Sequence, residues 1–231
     1  MSIAENIAQV RTNIAQACAQ AGRSPEEITL VGASKMNDAA ACREAIAAGI
    51  DALGENRVQE MTAKLADNAY DGAPLHFIGH LQRNKVKQVV GKVALIQSVG
   101  SMELLEEIEK VAAREQLVQD ILLEVNIGRE EAKSGFDPAE VAAAAETALA
   151  RPHVRVRGLM TIPPADADRD TNMRYFQEVQ ALYVDINTKL FHNELKCLSM
   201  GMSGDYMDAI RCGATMVRVG TAIFGARHYN I

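Results

Sequence analysis

Lys35 follows an apolar run, Ile28-Thr29-Leu30-Val31-Gly32-Ala33-Ser34, that reads as a buried strand. A lysine at the carboxyl end of such a strand can point into a pocket. Loss of hydration there favours the neutral amine, a nucleophile that condenses with carbonyl compounds to a Schiff base. Taken alone, Lys35 reads first as a surface lysine with its charge in water. Two more segments bear on the choice. Ser199-Met200-Gly201-Met202-Ser203-Gly204-Asp205 and Gly220-Thr221-Ala222 are rich in glycine and hydroxyl groups. Glycines let backbone N–H groups approach an anion, and Ser203 and Thr221 add hydroxyl donors, so phosphate is the ligand that fits. Either loop alone also reads as an ordinary turn, with Ser203 a helix cap. Arg218, just before the second loop, reads equally as a ligand group or a salt bridge at a strand end.

The elements that must position these residues alternate. Short apolar, β-rich runs begin near Ile28, Asp51, Leu75, Ala94, Asp120, Val154, Leu195 and Thr215. Helical stretches lie between them, at the spacing of βα units. Ser2 and Glu5 have capping-box spacing ahead of a stripe of Ile3, Ile7, Val10, Ile14 and Cys18, which predicts an extra N-terminal helix. Asp38 predicts a helix over 39–48 with Gly49 as its stop, and Ser101 one that ends at Arg114. Asp137-Pro138-Ala139-Glu140 reads as a cap, an N1 proline and an N3 glutamate. Further helices are expected over 172–192 and, capped by Ser203, over 204–212. Eight such units without a Gly-x-Gly-x-x-Gly after the first strand predict one closed (β/α)8 barrel over residues 1–231, with a doubly wound open sheet as the alternative. Ligands of such barrels bind at the carboxyl ends of the strands, and phosphate sites often follow strands seven and eight. Closure sets the first strand beside the eighth, so Lys35, Arg218 and both loops share one rim. That combination points to pyridoxal 5'-phosphate. Arg218 would face the ring nitrogen; it can only donate, so the ring would be a weaker electron sink than one paired with a carboxylate.

Composition narrows the classes. A net charge of −6 argues against a broad nucleic-acid surface. No apolar stretch is long enough to span a membrane, and the first residues do not read as a signal peptide, so the cytoplasm is expected. Cys18, Cys42, Cys197 and Cys212 read as free thiols. His76 and His80 are four apart, but Phe77-Ile78-Gly79 between them reads as strand, so no metal site is expected.

Several segments resemble the pyridoxal phosphate homeostasis proteins, a family related to the barrel domain of alanine racemase. They are Ser34-Lys35, Gly54-Glu55-Asn56-Arg57-Val58-Gln59-Glu60 and His76-Phe77-Ile78-Gly79-His80-Leu81-Gln82-Arg83-Asn84-Lys85. They continue with Glu124-Val125-Asn126-Ile127-Gly128, Lys133-Ser134-Gly135-Phe136 and Gly158-Leu159-Met160-Thr161. The last are Ser199 to Asp205, Val217-Arg218-Val219-Gly220 and Ile223-Phe224-Gly225. The resemblance implies that Lys35 carries pyridoxal phosphate as a Schiff base. It implies that Ser203, Gly204, Gly220 and Thr221 bind the phosphate and that Arg218 meets the ring nitrogen. Asn56 and Met160 would surround the ring, with Ser199 and Met200 on the adjoining wall. Lys85, Lys87 and Lys133 would stand near the entrance, or simply be solvated surface charges. One departure is Gly100, where the family commonly has aspartate.

Two functions remain open at this point. One is a pyridoxal phosphate carrier for cellular homeostasis, with enzymes that accept the cofactor as partners. The other is a pyridoxal phosphate-dependent racemase or related amino-acid enzyme; a Schiff-base aldolase working through Lys35 alone is a third, weaker idea. Racemisation needs two bases on opposite faces of the substrate. In the related racemases the second is a tyrosine from an added C-terminal domain across a dimer. This chain ends at Ile231, so no such domain is expected; Tyr206 and Tyr229 are the nearest substitutes and read as structural. An open mouth suits loading and release of cofactor. The expected protein is a monomeric carrier with no catalytic residue of its own.

Overall fold

Parallel strands close on themselves here because each of eight apolar runs is covered by a helix or turn before the next begins. A computed structural model describes residues 1–130 and 133–225. The strands are β1 (Thr29–Ala33), β2 (Ala52–Glu55), β3 (Leu75–Phe77), β4 (Leu95–Val99), β5 (Gln119–Val125), β6 (Val154–Thr161), β7 (Cys197–Ser199) and β8 (Met216–Val219). They pair in sequence order, all parallel, and β1 joins β8 to form the closed (β/α)8 barrel expected from the alternation. No strand starts more than two residues from its expected position.

The helices are α1 (Ile3–Ala21), α2 (Ala39–Ala47), α3 (Val58–Ala66), α4 (Met102–Arg114), α5 (Val141–Leu149), α6 (Arg169–Leu190), α7 (Tyr206–Arg211) and α8 (Thr221–Phe224). A 3-10 turn, Arg83–Gln88, stands where a helix would follow β3. α8 is too short to cover the β8–β1 seam. The N-terminal helix α1 packs against α7, α8 and α2 and so fills that place in the outer ring. Ser2 and Glu5 form its capping box, and Gly22 ends it in the left-handed conformation at φ 66°. Asn6 Nδ2 donates to the Ile223 carbonyl at 2.8 Å, and Arg11 forms two hydrogen bonds with Asp51.

Three helix starts differ from expectation. Asp137 accepts from Ala139 N at 2.9 Å, which builds a turn, and α5 begins only at Val141. Asp168, four residues upstream of the expected start of α6, accepts from Thr171 N at 2.8 Å and starts the helix earlier. α7 begins at Tyr206 without a side-chain cap, because Ser203 is engaged with another loop. Among the described residues no helix is long and apolar enough to cross a membrane.

Buried apolar side chains fall into two sets on either side of the barrel wall. Val31, Ala52, Leu95, Leu122, Met160 and Met216 fill the interior. Leu30, Leu53, Phe77, Ile96, Leu123, Leu159, Leu198 and Val217 pack outward against the helices. The alternation follows from the two-residue period of a strand. Because α1 completes the outer layer, its stripe carries a large share of stability. Ile14 is 1% exposed. Replacing it with alanine should cost about 2–5 kcal/mol, read as a lower urea midpoint at unchanged slope. A loss under about 1 kcal/mol would mean that α1 is not integral to the barrel.

Candidate functional site

The same alternation decides which polar side chains enter the barrel. His76, Gln97, Ser199 and Arg218 occupy inward positions on β3, β4, β7 and β8, and all four are buried. They form one hydrogen-bonded chain. Arg218 Nη1 donates to Ser199 Oγ at 2.6 Å, and Ser199 Oγ donates to Gln97 Oε1 at 2.6 Å. Gln97 Nε2 lies 3.0 Å from His76 Nδ1. With Gln97 Oε1 used as the acceptor, its amide donates to His76, which fixes the neutral imidazole with its proton on Nε2. Arg218 Nη2 also donates to the Thr161 carbonyl at 2.8 Å. Burial pushes the Arg218 guanidinium down to about 10, so it stays protonated at neutral pH.

Lys35 continues the inward parity of Val31 and Ala33 past the end of β1. It is one of two central residues of a tight turn in which the Ser34 carbonyl accepts from Asn37 N at 3.1 Å. The other is Met36, at φ 64°. A positive φ at this position marks a type II turn, which favours glycine, and a side chain there costs about 1–2 kcal/mol. Met36 N–H donates to Glu60 Oε1, which holds the turn.

The two glycine-rich loops meet beside this turn. β1 and β8 pair with Val31 opposite Arg218 and Gly32 opposite Val219. Gly220 therefore follows next to Ala33, and a Cβ on it would stand 3.4 Å from the Ala33 carbonyl oxygen. Ser203 Oγ accepts from Gly220 N at 3.1 Å and from Ala222 N at 3.4 Å. Two backbone donors thus converge on one oxygen, which is the arrangement a phosphate oxygen requires. A Cβ on Gly204 would meet nothing within 4 Å, so the space before this loop is open. Thr221 is exposed at the start of α8.

Asn56, just past β2, borders a cleft of about 380 Å³ with Ile78, Glu124 and Lys133. Its Oδ1 is buried and has no hydrogen-bond partner. Gly79 permits this placement, because a Cβ there would lie 2.2 Å from the Asn56 carbonyl oxygen. Glu124 points inward from β5 and accepts from Ser134 Oγ at 3.0 Å. Its carboxyl is raised by burial, which outweighs Ser134 and the charges of Arg218 and His80.

Met160 is buried in the interior and pairs with Ser199 across β6 and β7. Met200 differs: its side chain belongs to the outer layer, so only its backbone adjoins the interior. Ser203 is a loop clasp rather than the cap of α7. The sequence reading missed Gln97, which links Ser199 to His76. Its signal was a polar residue at an inward position of an otherwise apolar parallel strand.

His76 makes the site sensitive to acid. Burial lowers its pKa from 6.5 to about 4. The unfolded chain therefore binds a proton between those values that the native state refuses. Stability present above about pH 6.5 should fall by up to about 3 kcal/mol as pH drops to about 4. His76→Asn, compared with the unchanged protein by denaturation across this range, should flatten that slope; parallel curves would contradict it.

A family profile described as "Alanine racemase, N-terminal domain" matches residues 6–228. The pyridoxal phosphate homeostasis protein of Aquifex aeolicus is 42% identical over 229 residues, covering 99% of this chain and 100% of that protein. The structure of PipY from Synechococcus elongatus with PLP bound superposes with a TM-score of 0.84 at 33% identity, covering 97% of this chain and 100% of that one. Alanine racemase from Clostridium difficile shares the fold at a TM-score of 0.73 and 17% identity, with 99% of this chain matching 58% of that one. The closed barrel, the inward chain from Arg218 and these end-to-end matches agree: the chain belongs to the alanine racemase N-terminal domain family and, within it, to the pyridoxal phosphate homeostasis proteins.

Proposed function

We propose that this chain binds pyridoxal 5'-phosphate as a Schiff base on Lys35 and serves in cofactor homeostasis as a carrier. The observation that carries the reading is the meeting of Gly220 N, Ala222 N and Ser203 Oγ beside the turn of Lys35. Pyridoxal phosphate supplies an aldehyde open to attack by an amine and a pyridine ring that withdraws electrons. Ser203, Gly204, Gly220 and Thr221 would hold the phosphate. Arg218 would donate to the ring nitrogen, and its guanidinium cannot take up a proton in return. Asn56 and Met160 would flank the ring, with Asn56 Oδ1 the acceptor still lacking a partner. Ser199 would act by holding Arg218, and Met200 through its backbone.

Supporting a carrier over a racemase is the position of the tyrosines. Tyr70, Tyr175, Tyr183 and Tyr206 all pack in the outer layer, away from the barrel mouth. Tyr206 Oη accepts from Asn13 Nδ2 at 2.9 Å, as a structural residue would. Tyr229 lies outside the described residues. The four cysteines are free thiols, which suits a cytoplasmic protein in a reducing compartment. Enzymes that take up pyridoxal phosphate are then the acceptors, and a monomer suffices for the site as assembled.

Incubated with pyridoxal phosphate, the purified protein should turn yellow, and borohydride should fix the label on Lys35. Lys35→Ala should bind without covalent label, and more weakly. A protein that stays colourless and unlabelled would refute the reading. Amino acids incubated in deuterated water should keep their α-proton; steady α-deuteration with turnover would favour the racemase instead.

A further inference from the structure

Behind Lys35, outside the barrel wall, lies a buried polar cluster that cofactor binding does not use. Its centre is Lys64 of α3, whose side chain is 8% exposed. Lys64 Nζ donates to the Ser34 carbonyl at 2.8 Å, to Glu55 Oε1 at 2.7 Å and to Glu60 Oε1 at 2.9 Å. All three protons of the ammonium thus have acceptors. Glu55 Oε1 also accepts from Ser34 Oγ at 2.6 Å and Tyr70 Oη at 3.0 Å.

Two of these bonds lead to the peptide groups on either side of Lys35. The Ser34 carbonyl belongs to the peptide entering Lys35 and is held by Lys64 directly. The Met36 N–H belongs to the peptide leaving it and is held by Glu60, which Lys64 in turn holds. Met36 sits in a left-handed conformation that a methionine does not adopt on its own account. Without Glu60, the turn would exchange with the commoner type I form, in which the peptide plane between the central residues is reversed. Lys35 is one of those central residues, so its amine would sample several positions rather than one.

We infer that Lys64, acting through Ser34, Glu55 and Glu60, is a positioning residue for Lys35, fixing the turn that aims its amine into the barrel mouth. The inference rests on the reading of Lys35 as the cofactor lysine. The cluster holds the backbone of the turn and the Ser34 hydroxyl and has no bond to the phosphate loops, so it acts on the rate and protonation of the attachment rather than on the phosphate.

The full-length protein with Glu60→Ala, Glu60→Gln and Lys64→Met tests this. Glu60→Ala should slow borohydride-trapped attachment of pyridoxal phosphate to Lys35 by about tenfold, the effect of one lost hydrogen bond on the aimed state. It should also move the pH midpoint of the bound cofactor's visible absorbance, with circular dichroism unchanged. Glu60→Gln keeps an oxygen for Met36 N–H and should restore both. Lys64→Met should exceed the effect of Glu60→Ala, and if it does not fold the Glu60 pair decides. Labelling of the unchanged protein with normal rate and midpoint in Glu60→Ala would overturn the positioning role alone, as would failure of Glu60→Gln to restore them. An unchanged protein that takes no label would remove the reading of Lys35 and this inference together.

Discussion

Arg218 places a protonated guanidinium inside a protein barrel, 3% exposed and bonded to no carboxylate among the described residues. Burying a charge in that way costs several kcal/mol unless dipoles replace the lost water. The surrounding architecture supplies them. The Thr161 carbonyl faces Nη2, and Ser199 turns its oxygen to Nη1. Ser199 can do so only because Gln97 takes its proton, and Gln97 has that orientation because His76 accepts its amide. Five strands, β3, β4, β6, β7 and β8, are thereby tied to one charge. The neutral state of His76 is part of the same requirement, since a second cation on this chain would reverse its direction.

The barrel wall separates this inner chain from the outer cluster around Lys64, and Lys35 stands where the two come closest in sequence. Strand alternation makes the division. Val31 and Ala33 face in, Gly32 and Ser34 face out, and Lys35 follows at the next inward position. One residue of slip along β1 would send the amine to the helices and Ser34 Oγ to the barrel mouth. Register is pinned on both sides, by Gly54 opposite Ala33 and by Val219 opposite Gly32. Glu55, one residue beyond Gly54, points outward to receive Ser34 and Lys64. The turn of Lys35 is thus built from outside the barrel, while the group that would meet a ligand's ring is built from inside it.

Much of this was legible in the residues, and the losses have physical causes. Strand positions followed from apolar runs of the right spacing, because a parallel strand buried on both faces has few alternatives. Caps at Ser2, Asp38 and Ser101 were readable because their partners lie three residues away. Ser203 was misread as a helix cap because its partners, Gly220 and Ala222, come from a distant loop. Met200 was misjudged for want of parity: it shares the outward face with Leu198. Lys64 was not singled out, because nothing in its local sequence distinguishes it from a solvated helical lysine. The clue was Glu55, a carboxylate at the end of a buried strand, which requires a cation from somewhere nearby.

Electrostatics of the mouth bear on what kind of ligand hold it offers. Glu124 and Arg218 influence each other, yet burial is the first cause of both shifts, raising the acid and lowering the base. Each therefore drifts toward its neutral form, the reverse of a tight ion pair, in which both charges would be reinforced. Arg218 remains charged and Glu124 is held by Ser134, so the mouth is a donor-rich wall facing an acid that resists ionisation. Such a wall is suited to an electron-rich ring edge and to a phosphate. On the proposed reading, retention would depend on the bond that Lys35 forms and on the turn that aims it. A reversible bond at a lysine fixed by its turn would suit the proposed carrier, which has to hold a reactive aldehyde and later release it.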